Sequence, residues 1–541
     1  MNIVCVHSDL ARALSGLGHN VLELRPPAGI VQILPLLGDF RPDLFIQQET
    51  LGPRTLVADL PALGCPRVFW SVDTHLNSFW HQYYARLFDL FCTTQKDWLP
   101  WFATRGISSP VWLPWFGSAR RRAPWEGRQG MVFVGRLTPE RPVRSWFVDW
   151  LNRLGGLDVR QNLGFAAMFD LYDRSRLVPN ESIFGEINFR LFEAASCGCA
   201  VLNPAVAGLD ELFVPGDEVA VYRDGAELAA WVRRLLRDDM LARSMGLRAW
   251  ERVRREHLAM HRAGALVQAV SGLARRAAAG PAADTAWWLT LWQLCEAGRL
   301  GLQSGQVAHA MASLPVTAEV LAALLRMKAV AGREQFLRLA LPVIEKAQYA
   351  ASPDVNLAGS MGALRHDDPA LARLFFLRHR RHTAPEAADP GPSPLSICLA
   401  WAGELQRTGP VSRPGFTFNP RRHLPASAVE CLVLASEYDP ADQDVYARIA
   451  RMVAPDSGWD ALRIQALSYL SLRRRDDWRL GLELGLADCR AFRVVEGLEE
   501  IAAAREAATR QGQSDRFSRV LTARDESGQI RALLSGAPAA P

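Results

Sequence analysis

Long hydrophobic runs are missing from this chain. No apolar stretch reaches the roughly 18 residues that a membrane-crossing helix needs, so no membrane span is expected. Cysteine supplies no framework either. The nine cysteines are an odd number scattered along the chain, and the closest pair, Cys197 and Cys199, straddles a glycine with no second Cys/His pair at zinc-site spacing. They read as free thiols in a reducing compartment. Charge of one sign is scarce: a net +5 over 541 residues does not select nucleic acid as a partner. The run Arg120-Arg-Arg122 reads as a solvated loop. The opening Met1-Asn-Ile-Val-Cys-Val lacks a basic region and reads as a first strand, which sets the expectation of a cytoplasmic protein.

What is present is an ordinary globular composition, 49% hydrophobic and 22% charged, in a chain long enough for two to four domains. Through residue 118, short apolar runs alternate with helical spacing. Ile3–Val6, Leu22–Leu24, Pro42–Ile46, Pro66–Trp70 and Leu90–Thr93 are candidate strands, and their separation predicts a parallel, doubly wound, Rossmann-like sheet over 1–118. Ligands of such sheets sit at the strands' carboxyl ends, here His7-Ser-Asp9, Gln47-Gln-Glu49 and Ser71-Val-Asp-Thr-His75. Asp73 and His75, with Glu49 behind them, are the candidates for a general base. Trp70, Trp80, Trp98, Trp101, Trp112, Trp115 and Trp125 crowd this region, and ordinary packing explains them better than a sugar-stacking cleft. A second doubly wound domain is expected over 119–275, opening with the strand Gly130-Met-Val-Phe-Val-Gly135. From 284 to 541 the texture is helical and repeat-like, with a division expected near 383–424 at proline-rich segments. Helical repeats usually present a binding surface, so a protein partner for this region is one expectation and a capping or dimerising role the other.

The most informative stretch is Phe184-Gly-Glu-Ile-Asn-Phe-Arg-Leu-Phe-Glu-Ala-Ala-Ser-Cys-Gly198, followed by Cys199-Ala-Val-Leu-Asn203. It reads as a turn, a short helix, a glycine stop and a buried strand. Glu186 and Glu193 are seven residues apart, which on one helix returns them to one face roughly 10 Å apart. A helix start carrying Asn188 and Arg190 offers N–H groups to a diphosphate, and a carboxylate further in can accept from paired sugar hydroxyls. That combination suggests a nucleotide-sugar site.

The same stretch resembles the donor-site helix of group-1 GT-B glycosyltransferases, and more closely the spore-maturation CgeB-like glycosyltransferases, with their Gly-Ile-Asn-x-Arg-x-Phe-Glu-Ala-x-Ala-x-Gly pattern. Gly135-Arg-Leu-Thr-Pro-Glu-Arg141 is similar to the group-1 Gly-Arg-Leu-x-x-Glu-Lys segment, and Val111–Gly117 to the linker joining the two halves. The resemblance implies a GT-B fold, two Rossmann-like domains here followed by an all-helical, tetratricopeptide-like extension. It implies a metal-independent transferase without a cofactor, with a nucleotide-diphosphate sugar as donor and a protein or glycan as acceptor. The absence of an Asp-x-Asp in a donor-loop position agrees. By the same resemblance Arg136 and Arg141 clamp the diphosphate, and Glu193 takes the second glutamate's place on the ribose. The first glutamate's place falls on Gly185, beside Glu186. His257, within a segment similar to the family's closing Glu-His…Arg helix, is a packing residue. A nucleotide-sugar epimerase and a non-catalytic nucleotide-sugar-binding scaffold are the alternatives.

Overall fold

The structure, a computed structural model, describes residues 1–346, 348–383 and 389–536. The chain forms two compact units. The first takes residues 1–94, 98–113 and 267–452; the second takes 95–97, 114–266 and the residues from Val453 on.

Thirteen strands are described: β1 Asn2–Val6, β2 Asn20–Leu24, β3 Gly29–Val31, β4 Leu44–Gln48, β5 Thr55–Val57, β6 Arg67–Ser71, β7 Leu90–Thr93, β8 Val111–Trp112, β9 Gln129–Val134, β10 Asp158–Arg160, β11 Ser175–Pro179, β12 Ala200–Pro204 and β13 Ala220–Tyr222. In the first unit a six-stranded sheet has the order β2-β1-β4-β6-β7-β8, and every pairing is parallel. Its central strands are apolar on both faces, as a sheet covered on both sides requires. Ile3, Val4, Cys5 and Val6 are all fully buried. β3 and β5 form a small separate parallel pair. The segment that resembles a linker begins as β8, a two-residue edge strand on β7.

The tryptophans pack. Trp70 and Trp80 are buried; the indole of Trp70 donates to the Leu113 carbonyl at 3.0 Å, and that of Trp80 to Asn77 Oδ1 at 3.0 Å. Helices after residue 267 complete this core: Ala283, Ala286, Leu291, Leu294 and Phe416 join Phe69, Trp80 and Phe91 in one apolar cluster. Arg299 donates to Asn77 Oδ1 at 2.8 Å.

In the second unit five parallel strands run β10-β9-β11-β12-β13. Phe147, Leu151, Leu177 and Tyr222 form its core, together with Phe492 and Val494 from the C-terminal helices. The helix Phe189–Ser196 ends as its sequence predicts. Gly198 has φ 72°, its N–H donates to the Ala195 carbonyl and that of Cys199 to the Ala194 carbonyl, and the chain turns directly into β12.

Among the described residues no strand follows β13; the chain continues as helices from Gly225 to Leu534. Two doubly wound parallel sheets followed by an all-helical region are the GT-B architecture with a helical extension. The helical run divides between the two units at Met452/Val453. Residues 384–388 of the proline-rich segment, where a division was expected, lie outside the described residues. No helix among the described residues is long and apolar enough to cross a membrane.

Candidate functional site

Counted along each sheet's own strands, the order is 2-1-3-4-5-6 in the first and 2-1-3-4-5 in the second, which leaves in each a split where the chain's winding reverses. Ligands of doubly wound sheets bind at that split, at the strands' carboxyl ends. In the second sheet it lies between β9 and β11. β9 runs out into Val134-Gly135-Arg136, and β11 into Asn180-Glu181, so the two segments singled out in the sequence meet the split from either side.

The floor is a network of buried polar groups. Arg190, the second residue of the Phe189–Ser196 helix, donates to the Val134 carbonyl from Nε at 3.0 Å and from Nη2 at 2.8 Å. Its Nη1 lies 2.5 Å from Asn180 Oδ1, and its guanidinium lies 4.2 Å from the Phe133 ring centre. Gly135 is obligatory beneath it, since a Cβ there would stand 2.7 Å from Arg190 Nη2. Asn180 donates to Asn203 Oδ1 at 2.6 Å, and the Tyr222 hydroxyl donates to the Asn180 carbonyl. Glu181 is buried in an ion pair with Arg144 at 2.7 Å, and Arg144 also donates to the Arg136 carbonyl at 3.3 Å. Sequence reading passed over Asn180 and Arg144. The only signal for them was their placement, just past β11 and at the start of the Pro142–Gly155 helix.

Glu186 and Glu193 do not share a helix. The helix opens at Phe189, with Asn188 in the cap position in extended backbone, φ −111° and ψ 171°. Glu186 therefore lies in the preceding loop, buried, with Oε2 accepting from Ser182 Oγ at 2.7 Å, Ile183 N–H at 2.8 Å and Phe184 N–H at 2.9 Å. The next residue, Ile187, is clamped by the Gln95 side-chain amide, which accepts its N–H at 2.9 Å and donates to its carbonyl at 3.1 Å. Asn188 Nδ2 donates to the Glu181 carbonyl at 3.0 Å, while its Oδ1 is buried with no partner among the described residues. The Asn188 side chain makes no capping bond to the first turn of the helix.

Glu193 is different in kind. It is half-buried, and among the described residues its carboxylate makes no hydrogen bond and no ion pair. Burial pushes its pKa up to about 7, against the pull of the Arg190 guanidinium. Arg136 is exposed directly after Gly135, and Arg141 is half-buried in the cap position of the Pro142–Gly155 helix.

In the first unit the strand-end residues gather around Glu49. Its carboxylate accepts the Val72 and Asp73 N–H groups at 2.9 Å each, the Asn77 amide at 2.6 Å and the Ser71 hydroxyl at 3.4 Å, and lies 3.2 Å from His81 Nε2. Burial alone would raise Glu49, but the charged form of His81 and the Val72 and Asp73 N–H groups pull it below the usual carboxylate range. Through these bonds the Glu49 carboxylate organises the turn. Asp73 occupies the cap position of the Thr74–Tyr84 helix, half-buried, and His75 is buried within its first turn.

His257 is a packing group. Its Nε2 is 2.7 Å from the Leu212 carbonyl and its Nδ1 is 3.0 Å from Arg262 Nη2; burial lowers its pKa to about 4. Among the described residues no group of three or more His, Cys, Asp or Glu is placed to hold a metal ion.

Residues 127–268 match a protein family described as Glycosyl transferase-like, and this span contains the whole floor of the split apart from Gln95. No curated protein matches the chain. Similar solved structures include a sucrose-phosphate synthase from Thermosynechococcus elongatus, at 14% identity and TM-score 0.37, covering 50% of this chain and 99% of that one. Anabaena HepE in complex with UDP and glucose matches at 13% identity and TM-score 0.36, covering 50% of this chain and 100% of that one. A glycosyltransferase from Rickettsia africae matches at 10% identity and TM-score 0.34, covering 51% and 99%.

Proposed function

We propose that the chain is a glycosyltransferase that takes a sugar from a nucleotide-diphosphate donor and passes it to a protein or glycan acceptor. The observation that carries this reading is Glu193. A half-buried carboxylate with no hydrogen-bond or ion-pair partner among the described residues stands behind a helix start whose Asn188 makes no side-chain cap, at the split of a doubly wound sheet, inside the span that matches a glycosyl transferase-like family. Such a carboxylate suits a pair of vicinal hydroxyls, and the helix start suits a diphosphate.

In this reading Glu193 accepts from the ribose hydroxyls of the donor. Arg136 and Arg141 neutralise the diphosphate as the glycosidic bond breaks and the leaving group gains charge, the main electrostatic task of the transfer. Arg190 commits three of its N–H groups to Val134 and Asn180, so it contributes a fixed positive field and holds the two strand ends together. Asn188 and the Glu186 loop border the same ligand. The acceptor hydroxyl gives its proton to a base from the first unit, Asp73 or His75.

The test is a thermal-shift screen of UDP, GDP, dTDP and CMP and their sugars on the wild type, Glu193→Ala and Arg136→Ala. A ligand at a hundred times its Kd adds about 2.7 kcal/mol of stability. One nucleotide class should stabilise the wild type and lose most of that effect in both variants. Stabilisation by none of them overturns the donor reading.

A further inference from the structure

The donor loop Ser182–Asn188 is fixed from inside by Glu186 and from the side by Gln95, and one large side chain leaves it, Phe184. That ring packs on the turn Ser457–Trp459, where the C-terminal helices of the same unit begin. The Phe184 and Trp459 ring centres are 5.9 Å apart at 73°, an edge-to-face pair. Between them Gly458 leaves no room for a side chain, because a Cβ there would fall 1.8 Å from Phe184 Cδ1. Gly458 does not hold a left-handed backbone, so closeness is what requires glycine here. Asp456 fixes the turn by accepting the Gly458 N–H at 2.9 Å. The Trp459 indole N–H is buried without an acceptor among the described residues, so its contact with Phe184 is made by the ring and not by a hydrogen bond. On the loop side Gly185, next to Phe184, has φ 74° and open space where a Cβ would be.

A nucleotide sugar is linear: ribose, diphosphate, sugar. With the ribose on Glu193, inside the helix, and the diphosphate at the helix start, the sugar lies beyond that start, over the 182–188 loop. Resting on the donor reading above, we propose that the Ser457–Trp459 turn is a buttress for this loop. Gly458 and Trp459 are positioning residues for the sugar end of the donor, and through them the C-terminal helices set which nucleotide sugars are used and how productively. This gives that part of the helical extension a role in donor choice without any contact to the nucleotide.

The experiment uses the full chain and compares Gly458→Val, Trp459→Ala and Trp459→Phe. For each, calorimetric titration measures affinity for the nucleoside diphosphate found in the screen and for its nucleotide sugar, alongside the donor turnover rate. Gly458→Val and Trp459→Ala should leave diphosphate affinity within about twofold while lowering sugar-dependent affinity or turnover by at least about tenfold, since misplacing a reacting group by an ångström costs that much or more. Trp459→Phe keeps a ring against Phe184 and should restore wild-type behaviour. Where Gly458→Val does not fold, Trp459→Ala against Trp459→Phe carries the test. An unchanged ratio of sugar to diphosphate affinity together with wild-type turnover overturns the buttress, as does equal weakening of both ligands. A wild type that binds no nucleotide overturns the donor reading instead.

Discussion

Replacing Glu193 by glutamine should change the pH dependence of stability, not merely its level. In the folded protein burial raises this carboxyl from an ordinary 4.5 to about 7, with Arg190 pulling it down and Tyr172 the other titratable group nearby. Below pH 4.5 the group is protonated in both folded and unfolded chains, and it costs nothing. Between 4.5 and 7 the folded state holds the proton more tightly, so the unfolded state binds fewer and stability falls as pH rises. Above 7 the full cost of ionising a desolvated carboxyl is present. At 1.36 kcal/mol for each tenfold change in acidity the limit is about 3 kcal/mol, and the part of the side chain that reaches water brings it to about 1–2 kcal/mol. Glutamine fills the same space and does not titrate. Melting curves of the unliganded wild type and Glu193→Gln at pH 5 and pH 8 read this directly. The variant should match the wild type at pH 5 and exceed it at pH 8, by roughly 2–4 °C for each kcal/mol in a unit of this size. An offset of equal size at both pH values would refute the argument, because it would mean that Glu193 is already ionised at pH 5.

Arg144→Met should cost about 3–5 kcal/mol, because it leaves the Glu181 carboxylate buried and unpaired; the double variant Arg144→Met/Glu181→Leu should recover most of that loss in urea unfolding. Gly246→Ala should destabilise the second unit by about 1–3 kcal/mol, since its Cβ would stand 2.2 Å from the Gly198 carbonyl oxygen and push the helix off the glycine turn before β12; circular dichroism melts should show the drop, and an unchanged melting temperature would sink the close-approach argument.

The sheets were legible because covered parallel strands are written as short apolar runs, and β1, β4, β6, β7 and β9 fall where those runs are, within one or two residues. The short strands were not. β3, β5, β8 and β10 have two or three residues each, so no periodicity builds up over so few positions, even where, as in β5, all of them are buried. The helical region was legible as helical, since its apolar spacing is plain from Trp287 onward. Its division at Met452/Val453 was not, because helices that pack on different sheets carry the same apolar stripe, and the stripe does not say what covers it.

The site shows the same limit at the level of single side chains. Residue spacing fixed Arg136, Asn188, Arg190 and Glu193 near one split, because strand ends and helix starts follow from local pattern. What spacing does not carry is how each side chain spends its bonds. Glu186 and Glu193 look equivalent in the sequence, yet the two residues between Glu186 and the start of the helix at Phe189 decide their chemistry. Glu186 falls outside the helix, where two free loop N–H groups and the Ser182 hydroxyl are within reach, and it is consumed by them. Glu193 falls inside the helix, where among the described residues its carboxylate meets no hydrogen-bond partner, so it keeps its capacity and pays for burial in a raised pKa. Arg190 and Arg136 divide in the same way: the first is held by two strand ends, while the second stands exposed past Gly135. Of each like-charged pair, one member is bound into the loop or the strand ends and the other is not, and the position of the helix start and of the strand end decides which.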